Sequence, residues 1–222
     1  MLRPRKRILR KEIKEDPLVT IYVRVRKWLQ KHMRELNIGI TIFLIVIVVS
    51  VLMVRSKKNA ELSAAANLGI AEQYYYAGDY QRAIAELGLV ANTYSGTKAA
   101  GSAIFLLANS YYESQDYQLA KQNYQTYLDD YGQNPLFKAS SLAGLAACAE
   151  MEKLYLQAAT LYEKAGKEQP HLVLAPHYLK SAGICYMKAG DQQKAKETFQ
   201  MILDRYPDSS VSQDVSFYLK SI

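Results

Sequence analysis

Cysteine, histidine, glycine and proline are all scarce in this chain of 222 residues, and each scarcity excludes a class of protein. Two Cys and three His are too few for a structural zinc site of the usual kind or for a disulfide framework. Eleven Gly and six Pro argue against collagen, low-complexity sequence and turn-rich β architectures. Half of the residues are apolar, which excludes disorder throughout the chain.

Charge is distributed unevenly along the chain. Residues 1–37 hold 12 Lys or Arg against 4 Asp or Glu, whereas residues 59–222 hold 13 against 17. The body is therefore mildly acidic although the whole chain carries +7, and the net charge does not indicate nucleic-acid binding by the body. We expect no nucleic-acid partner and no small-molecule substrate.

Residues 36–54 contain no charged side chain and are mostly apolar. Nineteen helical residues span about 28 Å, close to the hydrocarbon core of about 30 Å, so this run predicts one transmembrane helix. An uncleaved anchor is favoured over a signal peptide because Arg55, Lys57 and Lys58 follow the run directly. The excess of Lys and Arg before it predicts a cytoplasmic N-terminus and a periplasmic body at a bacterial inner membrane.

Residues 17–35 form a separate basic feature before the apolar run. Apolar residues recur there at helical spacing. Basic residues fill the opposite side of that helix: Arg24, Lys27, Lys31 and Arg34. Such a helix either lies on an anionic membrane surface or extends the membrane helix into the cytoplasm, and the sequence leaves both open.

The body repeats one pattern four times. Its fixed point is an alanine that recurs after 37, 38 and 37 residues: Ala83, Ala120, Ala158 and Ala195. A small residue stands twelve positions earlier in every unit, and a Gly-Asp or related pair shortly precedes the alanine. This spacing predicts a helix, a tight turn and a second helix per unit, with the small residues where the two helices touch.

The order small residue, Tyr, Gly-Asp-Tyr, Ala, aromatic residue and Tyr-Pro resembles the tetratricopeptide repeat (TPR). The fit covers residues 64–207 and departs most in the third unit, where Lys153-Leu154 stands in place of Gly-Asp. Together with the transmembrane helix predicted above, the resemblance implies an all-α fold, in which an α-solenoid of about four TPR-like hairpins and a C-terminal capping helix follows the membrane helix. In layout alone, the chain also resembles the ancillary SecYEG translocon subunit family, which implies translocon or periplasmic chaperone partners.

The expected organisation of the chain follows from these features. It comprises a basic cytoplasmic tail (1–16), a basic juxtamembrane helix (17–35), the transmembrane helix (36–54), a linker (55–63) and a repeat domain (64–222). The repeat units are expected at about 64–97, 101–134, 139–172 and 176–207, with the cap at 208–222.

The sequence holds no catalytic constellation, phosphate-binding loop or metal-ligand spacing, so we expect neither an enzyme nor a cofactor.

Cys148 and Cys185 stand at equivalent places in units three and four. Packed helices lie about 10 Å apart, whereas a disulfide needs Cα atoms within about 7 Å. We therefore predict two buried thiols.

We expect the first helices of the hairpins to line a concave groove that binds proteins. Projection of the repeat places these residues there: Leu68, Glu72, Tyr75, Tyr76, Phe105, Asn109, Tyr112, Glu113, His177, Lys180, Ile184 and Met187. Exposed aromatic side chains suit the recognition of peptide segments, although Tyr75, Phe105 and Tyr112 fit packing between hairpins equally well.

The sequence thus predicts a membrane-anchored scaffold that binds proteins. An accessory role in protein export or periplasmic chaperoning is the preferred interpretation. An adaptor in outer-membrane or cell-wall assembly is the alternative, and a signalling receptor is a weaker one. A homo-oligomer is also left open.

Overall fold

The computed structural model describes residues 17–222, and these residues form α-helices without any strand. In chain order the helices are α1 (Pro17–Tyr76), α2 (Tyr80–Thr93), α3 (Lys98–Glu113), α4 (Tyr117–Asp130), α5 (Pro135–Met151), α6 (Tyr155–Glu168), α7 (Ala175–Lys188), α8 (Gln192–Arg205) and α9 (Val211–Ser221). The predicted tail at 1–16 lies outside the described residues. The all-α class is confirmed, as is the series of helical hairpins followed by a last helix.

The chain divides between Ser56 and Lys57 into two compact units, and α1 contributes residues to both. In the first unit, the apolar side chains from Ile38 to Val54 are exposed, and the helix is long and apolar enough to cross a membrane. Its backbone breaks at His32, where φ is −109° and ψ is 16°. The break falls inside the segment that the sequence predicts as one juxtamembrane helix.

The segment 55–63, expected as a linker, is helical and belongs to α1. It contains no Gly or Pro that would end a helix. In the second unit, the Glu61 carboxylate accepts hydrogen bonds from the backbone N–H groups of Lys98 and Ala99, at 3.0 and 3.2 Å. Glu61 therefore accepts hydrogen bonds from two backbone N–H groups that have no partner within α3. Contacts between the first hairpin and the next helix thus begin before residue 64.

Small residues let the paired helices approach each other. The alanines at the two predicted small positions are fully buried: Ala71, Ala83, Ala108, Ala120, Ala146, Ala158 and Ala195. Gly183 completes the set, and a Cβ added there would lie 2.2 Å from Cε1 of Phe199. A larger side chain at any of these positions would force the two helices of its hairpin apart.

All four hairpins turn through the same left-handed backbone conformation. The residue at the turn has a φ of 76° at Gly78, 64° at Gln115, 62° at Lys153 and 83° at Gly190. The next residue is an aspartate that caps the second helix in three hairpins: Asp79, Asp116 and Asp191. Leu154 makes no such cap, so the third hairpin keeps the turn although it lacks both favoured residues.

The tyrosines that close the units tie each unit to an earlier part of the array. The Tyr131 hydroxyl accepts a hydrogen bond from the backbone N–H of Gly96 at 3.0 Å. The Tyr206 hydroxyl donates to the carbonyl of Pro170 at 2.9 Å. Because both partners stand near the end of the preceding unit, this contact holds consecutive hairpins in register.

Restoring the favoured turn should stabilise the third hairpin. We expect Lys153→Gly with Leu154→Asp to raise the free energy of unfolding by about 1–2 kcal/mol, since it removes left-handed strain and adds a helix cap. Urea unfolding followed by circular dichroism measures the change. The control is Leu89→Asp, another exposed leucine inside α2, which should lose about 0.5 kcal/mol because aspartate is a poor helix former. Equal effects of the double variant and of Leu89→Asp would contradict the turn and capping argument.

Candidate functional site

The twelve predicted groove residues lie on the first helices of three hairpins, namely the last part of α1, α3 and α7. We call the surface that these residues form the first-helix face. Tyr76, Glu113 and His177 are exposed, and Tyr76 is 77% exposed. The other nine residues of the face are half-buried. The face therefore combines packing residues with a smaller number of accessible side chains.

Phe105 is one of the packing residues. Its ring stacks on Phe137 of α5 with centroids 4.7 Å apart and meets the Tyr127 ring edge-on at 5.9 Å. Leu68 packs against the same group of buried side chains. The interpretation of Phe105 as a residue that packs between hairpins therefore fits the structure better than a free contact residue of the groove.

Two tyrosine pairs recur at equivalent positions beside the hairpin turns. Tyr75 meets Tyr80 with ring centroids 6.0 Å apart, and Tyr112 meets Tyr117 at 5.5 Å. Burial raises the pKa of Tyr75 and Tyr112 above the ordinary value near 10. Both hydroxyls stay protonated at neutral pH, so each can donate a hydrogen bond to a partner.

Asn109 connects the two halves of this aromatic surface. Its Oδ1 accepts a hydrogen bond from the Tyr124 hydroxyl at 2.6 Å, and the residue also hydrogen-bonds to Tyr75. Burial raises the pKa of Tyr124 strongly, so its hydroxyl remains a donor. The amide of Asn109 is thus engaged inside the protein, which leaves less of it for the peptide backbone that the sequence suggested as its partner.

The N-terminal half of the first-helix face carries uncompensated negative charge. Glu72 is half-buried and Glu113 is exposed. Within residues 17–222, neither takes part in an ion pair. A partner segment that brings Lys or Arg to this tyrosine-rich surface would gain both charge pairing and contact with aromatic rings.

The C-terminal half of the face is occupied by internal ion pairs. Lys180 reaches Asp214 of α9 at 2.9 Å. Lys188 of α7 reaches Glu150 of α5 at 2.7 Å. Ile184 and Met187 pack against the core beneath α7. These side chains hold the last helices to each other, so they offer a partner fewer free groups.

Glu150 is the residue of this surface that the sequence analysis missed. It stands eight positions before its repeat alanine, as Tyr75 and Tyr112 do before theirs. The Tyr162 hydroxyl contacts its carboxylate at 3.5 Å, in addition to the pair with Lys188. The equivalent repeat position was the available signal, but the third unit departs from the pattern and contributed no residue to the prediction.

Residues 63–222 match the YfiO family, whose description is outer membrane lipoprotein. The chain belongs to this family. No curated protein matches the chain. Two solved structures of a Podosopora anserina kinesin light chain with nearly identical TPR-like repeats are similar in fold. One has a TM-score of 0.57 and 15% identity, covering 70% of this chain and 82% of that one. The other, a point variant of the same protein, has a TM-score of 0.53 and 14% identity, covering 71% and 92%.

This likeness establishes the TPR-like fold of the YfiO-family chain, and together with the family match it supports the assignment to the TPR superfamily. The chain is accordingly a TPR-like repeat protein. The predicted thiols, Cys148 and Cys185, are buried and free. Burial raises the pKa of Cys148 to about 11 and that of Cys185 to about 12, so both stay protonated and unreactive at neutral pH. Within residues 17–222 no cluster of His, Cys, Asp or Glu could hold a metal ion.

Substitutions at packed and at exposed residues of the first-helix face should change the free energy of unfolding of this YfiO-family protein by different amounts. We expect Phe105→Ala to lower the free energy of unfolding by about 2–3 kcal/mol, because it removes a half-buried ring stacked on Phe137. Tyr76→Ala should change it by less than about 0.5 kcal/mol, because that ring is exposed. Denaturant unfolding of both variants measures the difference. A loss at Tyr76 as large as that at Phe105 would show that the exposed ring is structural.

Proposed function

We propose that this protein is a membrane-anchored scaffold of the bacterial cell envelope that binds protein partners through its first-helix face, outside the cytoplasm. The observation that carries the proposal is the N-terminal half of that face. There, tyrosine pairs recur at equivalent positions of two consecutive hairpins, and the exposed Tyr76 ring and the unpaired carboxylates of Glu72 and Glu113 lie on the same helices. Exposed tyrosines give contact area at a low cost in conformational entropy, which suits the recognition of peptide segments.

The anchor in this proposal is the apolar part of α1. Its apolar side chains from Ile38 to Val54 are exposed over the length of a membrane span. Contact of so large an apolar surface with water is unfavourable, so this surface needs a lipid or protein environment. A lipid attached to cysteine would need an accessible thiol. Cys148 and Cys185 are the two cysteines of the sequence, and both are buried in repeat helices. The burial of both thiols is consistent with anchoring through the apolar helix.

Envelope assembly is the pathway that we favour. The matched family is described by its location at the outer membrane, and the match covers the whole repeat domain. This supports an adaptor for outer-membrane or cell-wall machinery over the accessory role in export that the sequence alone suggested. The export role keeps one supporting observation, namely the arrangement of a basic segment, one apolar helix and a repeat array in this order.

Crosslinking in intact membranes tests both the pathway and the face. The wild-type chain is crosslinked and solubilised in mild detergent, and the proteins that come with it are identified by mass spectrometry. The test variant is Tyr76→Ala with Glu113→Gln, two exposed changes on the face. The matched control is Leu89→Ala with Asp129→Asn, two exposed changes on the second helices. We expect the first variant to lose its partners at least about tenfold and the control to keep them.

Each outcome of the crosslinking decides between the proposed roles. Outer-membrane assembly or cell-wall proteins that depend on Tyr76 and Glu113 would support the envelope adaptor. Recovery of translocon subunits and periplasmic chaperones would instead support a role of the same scaffold in protein export. Recovery of equal amounts of partner with both variants would contradict binding through the first-helix face. Recovery of copies of this chain alone would contradict a scaffold for other proteins.

The orientation in the membrane can be tested separately. Lys and Arg are concentrated before the apolar run, so we expect the C-terminus to lie outside the cytoplasm. A reporter that is active only outside the cytoplasm should therefore be active when it is fused after Ile222. Paired fusions of alkaline phosphatase and a cytoplasm-dependent fluorescent protein give opposite signals. Fluorescence without phosphatase activity would reverse the proposed topology.

A further inference from the structure

The part of α1 that precedes the break at His32 is strongly amphipathic. At 100° per residue, five of its large apolar side chains fall within an arc of about 120°, whereas Val19 and Val23 lie on the other side. These five are exposed: Ile21, Tyr22, Val25, Trp28 and Leu29. Four cations occupy the opposite side: Arg24, Arg26, Lys27 and Lys31. No Asp or Glu lies between residues 17 and 34, so nothing in this segment offsets the positive charge.

The break separates this basic helix from the apolar run. At His32 the backbone leaves helical geometry, and the imidazole Nδ1 lies 2.6 Å from Oε2 of Glu35. The ring of Trp28, one turn before the break, lies 5.1 Å from the His32 ring at the break. The basic helix and the membrane helix are therefore joined through a kink and do not form one continuous straight helix. The basic helix can therefore take a direction of its own relative to the span.

A straight continuation would place the apolar arc in water. Trp28 precedes Leu36 by eight residues, or about 12 Å of helix, and Ile21 precedes it by about 22 Å. The headgroup layer of one leaflet is only about 5–8 Å thick. Both side chains would therefore stand beyond the lipid. A helix lying along the surface brings the whole arc to the boundary between headgroups and acyl chains.

We propose that residues 17–31 form an interfacial helix that binds anionic phospholipid at the leaflet beside the N-terminal end of the membrane helix. The inference rests on the membrane anchor proposed above. The apolar arc enters the acyl boundary, and the four cations on the other side face the phosphate groups. The occupant is a lipid surface rather than a protein groove, because the segment is continuous with a membrane span and its charge is of one sign.

The single tryptophan of the sequence reports directly on this position. The full chain is reconstituted into vesicles of phosphatidylcholine alone or of phosphatidylcholine with phosphatidylglycerol. Quenching of Trp28 is then measured with acrylamide from the water and with brominated lipid from the membrane. Acrylamide is neutral, so the lipid charge does not change its local concentration. Symmetric vesicles with acrylamide on both sides of the membrane make the result independent of the orientation in which the chain inserts.

We expect lipid quenching of Trp28 in both vesicles, with stronger protection from acrylamide when phosphatidylglycerol is present and low salt is used. Arg24→Gln with Lys27→Gln and Lys31→Gln should remove the effect of phosphatidylglycerol and lower the docked fraction more than about tenfold. The matched control neutralises the three cations after the span, Arg55, Lys57 and Lys58, and should leave Trp28 quenching unchanged. Acrylamide quenching as strong as in unfolded protein would overturn the interfacial helix. Protection that is equal in both lipids would overturn the anionic-lipid site.

Flotation of the vesicles at alkaline pH separates this inference from the anchor itself. Protein that stays with the vesicles while Trp28 is open to acrylamide contradicts the interfacial helix alone. Protein that leaves the vesicles contradicts both the anchor and the interfacial helix. Because flotation reports insertion and quenching reports the position of Trp28, the two failures cannot be confused.

Discussion

The close approach of two helices at a pair of small residues is the contact on which the repeat domain depends. Ala71 and Ala83 share one buried cluster, and Ala108 and Ala120 share another. None of these side chains is exposed to solvent. Since no hairpin buries its apolar surface alone, the distance set here decides how the larger side chains of the next hairpin fit. In the fourth hairpin the limit is tighter, because Phe199 fills the space that a Cβ of Gly183 would need.

The hairpin turn shows how tertiary packing overrides local preference. Gln115 and Lys153 adopt the left-handed conformation that Gly78 and Gly190 adopt without strain. The third hairpin also lacks a capping aspartate, yet the fully buried Ala146 and Ala158 hold its helices in the common arrangement. Packing of neighbouring hairpins therefore supplies what the local sequence does not. The repeat remains recognisable because the buried small positions vary less here than the turn residues.

The sequence predicted the fold well because burial in a repeat follows a fixed spacing. The small positions, the left-handed turns and the buried thiols all follow from that spacing. The polar contacts do not, because they join residues whose side chains vary from unit to unit. Tyr131 and Tyr206 could be recognised as closing residues, but their hydrogen bonds to Gly96 and Pro170 depend on the stacking of whole hairpins. The helical segment 55–63 was missed because a polar, charged sequence suits both a linker and a solvated helix.

The candidate site could be predicted only in part, for the same physical reason. The repeat spacing identified which positions lie on the first helices, but it could not distinguish buried from exposed aromatic residues. Phe105 stacks on Phe137, whereas Tyr76 is open to solvent. The repeat spacing also could not show that Lys180 and Lys188 are neutralised by partners on other helices. Ion pairs between helices thus occupy Lys180 and Lys188 of α7, which are then less available to a partner. Among residues 17–222, the unpaired carboxylates of the first-helix face and its exposed Tyr76 ring lie together in the first two hairpins, which is why the proposed partner contact is placed there.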